Sequence, residues 1–414
     1  MNLIKNKDYL IILKNFSFLS LLKFFNIGFK FVLVAYLIRV FGTKIYGLLT
    51  WADSVIQFFL IFINFGFNVY AAKYIVDNRG DIQKINEVVS SIYIIKFLLF
   101  LFSFIVLFGI SFFDPFSDNI HLLYLLLLLG LGEVFFPIWF YQGVEKLKTA
   151  TLIIFISRLF VITCTFIFVK SQNDLLVYVW LLIISNIIMG FLGLRSLKVD
   201  YNIQFYLVSI NKMYQYFKAA IMFFLGRFLS LVFNYGTIFL IGIYTSMDDV
   251  SGFDTASKIV FICVIPFEMI QQAVFPTISR TLDKKLLVKL IALSLFFGLI
   301  MYSIINYFSE ELMGFLGGDE LVKYASTLKT LALLIPLISL TYILGTCALV
   351  AFGFFKQYNN SLIISSILYI VFVLILYVLD KITFMNLIYL RILSDFVLVF
   401  TRGFYVVKNK VLSL

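Results

Sequence analysis

Long apolar segments separated by short polar ones occupy almost the whole chain. Each segment is about 20 residues long or longer, which is the length that an α-helix needs to cross the hydrocarbon core of a membrane. The pattern therefore predicts an all-α polytopic integral membrane protein with about 12 transmembrane helices. The predicted helices cover residues 16–38, 46–68, 88–111, 121–142, 149–169, 176–196, 217–243, 254–277, 287–307, 328–351, 360–379 and 384–406.

The composition excludes a soluble protein. Of the 414 residues, 62% are apolar and 13% are charged, whereas soluble domains average about 45–50% and about 25%. Such a chain has too little polar surface to remain in water. The connecting segments are also too short to form a separate catalytic domain. We therefore predict a protein that acts within the bilayer and is not an enzyme.

The distribution of the basic residues predicts the orientation of the chain. The formal net charge is +11, and Lys and Arg concentrate in alternate loops, as expected for loops that face the cytoplasm. This pattern places both termini in the cytoplasm and gives no reason to expect a nucleic-acid partner. The longest connection follows the sixth helix and divides the chain into residues 1–206 and 207–414. Each half would hold six helices in the same orientation.

Several charged residues interrupt the apolar segments. A charge within a membrane helix is costly and marks a functional site by default. The cations exceed the acids by three, which predicts a positively charged interior suited to an anionic ligand. The cations are Lys23, Lys30, Lys96, Arg158, Arg227, Lys258 and Arg391. The acids are Asp53, Glu133, Glu268 and Asp395.

The basic residues at mid-membrane are the strongest candidates for ligand binding. Arg158 and Arg227 lie near the middle of the fifth and seventh predicted helices, where a side chain cannot easily reach the interface. The alternative is that they pair with Glu133 in an internal salt bridge. Lys23 and Lys30 share one face of the first helix, which would face a cavity unless the two side chains extend toward opposite interfaces.

The remaining charged residues are candidates for ligand binding, ion coupling or helix packing. Lys96 and Lys258 are candidate ligand-binding residues, although both are close enough to a helix end to reach the interface. Arg391 and Asp395 are spaced i, i+4 and are expected to satisfy each other. For a coupling ion, either H⁺ or Na⁺, the candidates are the acids Asp53, Glu133 and Glu268. For Asp53, a hydrogen-bonded packing role is equally open.

No metal, cofactor or catalytic site is predicted. The chain has a single histidine, His121, and its three cysteines fall inside apolar segments, where a thiol behaves as a small hydrophobic group. One histidine is too few for a histidine-based metal or catalytic array.

Four separated motifs resemble those of the Wzx-type flippases of O-antigen and other polysaccharide repeat units. These flippases belong to the multidrug/oligosaccharidyl-lipid/polysaccharide (MOP) exporter superfamily. The motifs are LIRVFGTKIYGL at residues 37–48, FGFN at 65–68, PIWFYQGVEK at 137–146 and FPTISR at 275–280. The number of spans and the chain length are similar as well.

The resemblance implies both a fold and a function. The fold would be two six-helix bundles of the MATE type, which alternate between inward-open and outward-open states in the bacterial inner membrane. The function would be to move an undecaprenyl-pyrophosphate-linked oligosaccharide to the periplasmic leaflet. The intramembrane cations would then hold the pyrophosphate in a cationic central cavity. The partners implied are this lipid, the bilayer, and the polymerase and chain-length regulator of the same pathway.

Two alternatives remain open. The first is a MATE-type cation-coupled drug antiporter, although Lys23, Lys30 and Arg227 would repel cationic drugs. The second is a membrane-embedded polysaccharide polymerase or ligase, which would need catalytic groups in an extracytoplasmic loop. The loop at residues 113–120 offers no base except the adjacent His121.

Overall fold

The computed structural model describes the backbone of residues 2–412 and the side chains of residues 31–412 apart from residue 230. This part of the chain is helical and contains no β-strand. Lys23 and Lys30 lie outside the residues whose side chains are described. The helices of the first half are α1 (Asn2–Asn64), α2 (Phe67–Asp77), α3 (Ile82–Ile110), α4 (Ile120–Leu127), α5 (Gly130–Phe135), α6 (Ile138–Gly143), α7 (Leu147–Phe168) and α8 (Leu175–Val199).

The second half begins after a helix-free segment at residues 200–209. A π-helix, Ile343–Val350, follows the fifteenth α-helix directly. The helices are α9 (Ile210–Tyr244), α10 (Met247–Thr281), α11 (Lys284–Tyr307), α12 (Ser309–Gly317), α13 (Asp319–Val322), α14 (Ala325–Leu331), α15 (Leu334–Tyr342), α16 (Phe355–Val378) and α17 (Phe384–Lys408).

The number of separate spans differs slightly from the prediction. Within the described residues, ten helical segments are long and apolar enough to cross a membrane, and α9, which bends by 48°, makes an eleventh. The first of these segments, Phe31–Asp77, joins regions that the sequence assigned to two helices. Gly42 interrupts α1 with a φ of 74°, a left-handed conformation that glycine adopts without steric strain. The break divides α1 near the boundary between the first two predicted helices.

Pro137 breaks the predicted helix at residues 121–142. Proline has no N–H, so the carbonyl of Glu133 loses its helical partner. The Lys96 ammonium donates a hydrogen bond to this carbonyl at 3.1 Å. The Tyr93 hydroxyl likewise donates to the carbonyl of Phe135 at 3.0 Å. Two side chains of α3 thus stabilise the break between α5 and α6.

A buried ion pair joins two turns of α17. Arg391 pairs with Asp395, and both side chains are about 95% buried. The Arg391 guanidinium also donates to Asn234 Oδ1 on α9 at 3.0 Å. The prediction that Arg391 and Asp395 satisfy each other is therefore confirmed. The pair stabilises the packing of α17 against α9 and has a structural role.

Removing one member of this pair should destabilise the protein. We expect Asp395→Ala to lower the free energy of unfolding by about 3–5 kcal/mol, because it leaves the buried Arg391 guanidinium without a counter-charge. Thermal unfolding of the purified protein in detergent measures the change. The double variant Arg391→Met, Asp395→Leu should recover most of the stability, since it removes both charges. An equal loss in the single and double variants would contradict the explanation.

The two predicted halves contact each other mainly through α1, α9 and α10. α1 packs along α10 and α9, while α9 also contacts α2 and α3 on one side and α16 and α17 on the other. The division at residues 206 and 207 falls in the helix-free segment before α9 and stays a prediction. A cavity lies where α9 and α10 of the second half meet α1 and other helices of the first half.

Candidate functional site

The cavity has a volume of about 380 Å³ and lies between α1, α4, α7, α8, α9 and α10. This volume falls within the range of small-molecule binding sites, which is about 300–1,000 Å³. Leucine, isoleucine and valine side chains form much of its wall. Four charged residues line it, namely Asp53, Arg158, Asp254 and Lys258.

Arg158 is the cation that is most available to a ligand. It lies near the middle of α7, lines the cavity and is exposed to it. It forms no hydrogen bond or ion pair with any residue in the part of the chain that the structure describes. The neighbouring Ser157 carbonyl accepts a hydrogen bond from Ser185 of α8 at 2.8 Å, which holds this part of α7 in place. Arg158 does not pair with Glu133, so the alternative of an internal salt bridge does not apply to it.

Lys258 also lines the cavity and has two protein partners. Its ammonium donates to Asp254 Oδ2 at 2.6 Å and to the hydroxyl oxygen of Tyr46 at 2.7 Å. The Tyr46 hydroxyl donates to the same Asp254 oxygen at 2.6 Å. Tyr46 belongs to α1 and the other two residues to α10, so this three-residue cluster joins the two halves.

The charges of the described lining balance. Asp53 and Asp254 offset Arg158 and Lys258, so the expected excess of positive charge is absent from this part of the cavity wall. Asp53 accepts a hydrogen bond from Gln57 at 3.1 Å. Tyr178 lies close enough to interact electrostatically with Asp53, Arg158 and Lys258. The charged groups therefore share one space, in which Lys258 and Asp254 form an ion pair.

Three of the predicted residues lie away from the cavity. Lys96 is only 1% exposed and donates to the backbone at the Pro137 break, so it does not line the cavity. Glu133 accepts a hydrogen bond from Asn64 at 2.8 Å and also lies outside the lining. Arg227 is exposed on α9, interacts electrostatically with Lys96 and does not line the cavity either.

Glu268 is also outside the lining of this cavity. Its carboxylate accepts a hydrogen bond from Gln272 on the next turn of α10 at 3.0 Å. Of the three predicted coupling acids, only Asp53 lines the cavity. The structure thus brings together Asp53, Arg158 and Lys258 from the predicted set.

Sequence reasoning missed Asp254 and Tyr46. The predicted eighth helix began at residue 254, which placed Asp254 at the membrane surface. The actual helix α10 begins at Met247 and has Asp254 two turns inside it. The i, i+4 spacing of Asp254 and Lys258 is the sequence signal that could have identified this pair.

The motif at residues 37–48 contacts the second half at one end of the cavity. Arg39 donates to the carbonyl of Phe315 at 2.7 Å, and the Thr43 hydroxyl donates to Asp248. Gly47 packs against the backbone of Met247, and a Cβ on Gly47 would lie 2.6 Å from the Met247 carbonyl carbon. We call the set of Thr43 and Gly47 with Asp248 and Met247 the α1–α10 contact. It holds the two halves together beside the cavity residue Tyr46.

Comparison with solved structures identifies the fold. A lipid II flippase, MurJ, in an inward closed conformation matches with a TM-score of 0.76 and 16% identity, over 94% of this chain and 87% of that one. An inward-facing multidrug resistance transporter of the MATE family and MOP superfamily matches with a TM-score of 0.72 and 13% identity, over 93% and 96%. The chain therefore has the fold of these transporters and is a polytopic membrane protein of the MATE-like fold class. The predicted fold class is confirmed.

The family follows from sequence comparison. The model of the polysaccharide biosynthesis protein family matches residues 12–282, so the chain belongs to that family. A protein of Escherichia coli (strain K12) that is named as an O-antigen transporter is 23% identical over 373 residues. The matched region covers 88% of this chain and 89% of that protein.

Proposed function

We propose that the protein is a flippase that moves an undecaprenyl-pyrophosphate-linked oligosaccharide across the bacterial inner membrane, from the cytoplasmic to the periplasmic leaflet. The family and the name of the Escherichia coli relative support a role in polysaccharide transport. The observation that carries the proposal is Arg158, a mid-membrane guanidinium that lines the cavity without a described protein partner. The step is transport without bond chemistry, so the protein is not an enzyme.

The pyrophosphate group would bind between Arg158 and Lys258. A guanidinium presents a fork of donors that fits phosphate oxygens, and an ammonium adds a second positive charge. Held in this way, the most polar part of the lipid is shielded from hydrocarbon, while the isoprenoid tail stays in the bilayer. Arg227, Lys23 and Lys30 remain proposed contacts along the path outside the described lining. Asp53 is the proposed coupling acid because it shares the cavity.

The movement would follow the division into residues 1–206 and 207–414. With both termini in the cytoplasm, the α1–α10 contact would lie at the periplasmic end, on the side where the oligosaccharide must leave. Opening this contact and closing the opposite end would expose the cavity to the periplasm. The polymerase and chain-length regulator of the pathway are the proposed partners at that surface.

Deletion of the gene tests the proposal directly. We expect the lipid-linked oligosaccharide to accumulate in the cytoplasmic leaflet, where an added glycan-binding protein cannot reach it in intact spheroplasts. A plasmid copy of the wild-type gene should restore access. The proposed function would be contradicted if the glycan-binding protein reached the lipid-linked oligosaccharide fully in the deletion strain while the amount of the lipid was normal.

A second candidate function is cation-coupled drug export. The observation in its favour is the pair of carboxylates, Asp53 and Asp254, in the same cavity, because a carboxylate in a transporter can bind a cation or a proton. Drug susceptibility distinguishes the two functions. An exporter predicts that the deletion strain becomes sensitive to cationic drugs while its surface polysaccharide stays normal, and a flippase predicts the reverse.

A further inference from the structure

Lys258 is already neutralised in the structure, unlike Arg158. A single carboxylate oxygen, Asp254 Oδ2, accepts hydrogen bonds from both Lys258 and Tyr46 at 2.6 Å. Asp254 is 7% exposed and Tyr46 is 3% exposed, whereas the Lys258 side chain is 37% exposed and lines the cavity. The ammonium is therefore the member of the cluster that a ligand in the cavity can reach.

An anion in the cavity would compete with Asp254 for this ammonium. Lysine has a flexible stem with three donors and no fixed orientation, so Lys258 can turn toward the cavity without a backbone movement. A pyrophosphate group carries more negative charge than one carboxylate and would also be held by Arg158. Both effects favour the exchange of Asp254 for the ligand.

The same exchange would act on the contact between the halves. Tyr46 precedes Gly47 in α1, so its hydrogen bond to Asp254 lies beside the α1–α10 contact. Without Lys258, Asp254 would be a buried carboxylate with no cation in hydrogen-bond contact, which is an unfavourable arrangement. That cost is relieved when the helices separate and water reaches the carboxylate.

We propose that Asp254 and Lys258 form a ligand-operated switch, in which a diphosphate displaces Asp254 from Lys258 and thereby weakens the α1–α10 contact. This inference rests on the proposed function, since it takes the ligand to be a diphosphate bound in this cavity. It assigns Asp254 as a competitor of the ligand and Tyr46 as the residue that transmits the exchange to α1. Neither residue needs to touch the substrate.

Binding of inorganic pyrophosphate to the purified full-length protein tests the competition. Asp254→Asn should bind pyrophosphate at least about tenfold more tightly than the wild type, because the neutral amide has no negative charge with which to compete for the ammonium. Asp53→Asn is the matched control, since it removes another carboxylate from the same cavity without freeing Lys258. Its affinity should rise by less than that of Asp254→Asn. Tyr46→Phe should raise the affinity by less than Asp254→Asn does, because Lys258 keeps its carboxylate partner.

The opening of the contact is measured as a distance between spin labels. Labels at Asp118 and Glu311, two exposed positions in the two halves, are introduced as cysteines after the three native cysteines are replaced by alanine. Pyrophosphate should add a population with a longer distance in this background. Tyr46→Phe should show that population without pyrophosphate, because the link between Asp254 and α1 is lost. The distance measured in Tyr46→Phe also tests the switch if Asp254→Asn fails to fold.

The outcomes separate the switch from the proposed function. If the wild type does not bind pyrophosphate, both fail at this cavity. If it binds but Asp254→Asn binds no more tightly than Asp53→Asn, or the label distance does not respond, the switch is wrong and the flippase proposal stands. Tighter binding in Asp254→Asn together with a ligand-dependent distance supports the switch.

Discussion

Replacing Arg158 by Glu is expected to reduce the surface polysaccharide by more than about tenfold, because a hydrogen bond between a charged group and a phosphate contributes about 1.5–3 kcal/mol and the substitution also adds repulsion. The measurement is the amount of polysaccharide on cells that carry only the variant gene, with protein level checked by immunoblot. The variant should also fail to bind pyrophosphate after purification. Arg158 is exposed to the cavity and has no described partner, so its loss should disturb binding more than folding.

A graded series at this position sharpens the test. Arg158→Lys should retain partial function, since it keeps the charge and loses the guanidinium fork, and Arg158→Gln should fall below it. The matched control is Arg195→Glu, which reverses an exposed arginine near the end of α8, away from the cavity lining. This control should leave polysaccharide at the wild-type level. A normal amount of surface polysaccharide in Arg158→Glu would exclude the proposed role of the cavity in binding the pyrophosphate group.

The sequence predicts the helices best where an apolar segment has no break. The predicted segments at residues 149–169 and 176–196 correspond closely to α7 and α8. In these segments, polar residues at both ends mark where the helix meets the interface. A membrane helix must satisfy its own backbone hydrogen bonds, so apolar length and helix length agree. The all-α membrane fold follows from this rule together with the length of the apolar segments, which fits helices.

The predicted helix at residues 121–142 shows where hydropathy fails. The segment is mostly apolar, but it forms three short helices because Pro137 and the turn after α4 interrupt the backbone. The break is possible because Lys96 and Tyr93 on α3 supply donors to the freed carbonyls. Those donors come from a different helix, and no local pattern indicates that they will meet. For the same reason, Lys96 could be mistaken for a ligand-binding residue.

The cavity was only partly predictable. Arg158 and Lys258 were identified because a charge within an apolar segment is rare. Arg227 meets the same criterion but lies outside the lining. The sequence does not predict this, because a helix that is apolar on every face does not indicate which side faces inward. Tyr46 and Asp254 depend on how α1 and α10 pack, which is a tertiary property. The sequence therefore indicates candidate charges, and the packing decides which of them share a cavity.

Gly47→Ala is expected to reduce transport by more than about tenfold, because overpacking a tight contact costs about 1–3 kcal/mol. Gly47 packs directly against the backbone of Met247, where a Cβ would lie 2.6 Å from the carbonyl carbon. A backbone group cannot rotate away as a side chain can, so α1 and α10 must separate. The closed state at this end becomes less populated, and a transporter that cannot close one end cannot alternate. Surface polysaccharide in cells that carry only the variant measures the loss.

The matched control for this prediction is Gly403→Ala in α17, where the described residues place no atom within 4 Å of the added Cβ apart from the neighbouring backbone of the same helix. It should transport normally and be as stable as the wild type or slightly more so, since alanine is a better helix former than glycine. Labels at Asp118 and Glu311 should report a longer distance in Gly47→Ala without any ligand and the wild-type distance in Gly403→Ala. Because the two variants make the same chemical change in a helix, a difference between them isolates the close approach of α1 to α10. Closed-state distances and full transport in Gly47→Ala would show that the α1–α10 contact does not control the cycle.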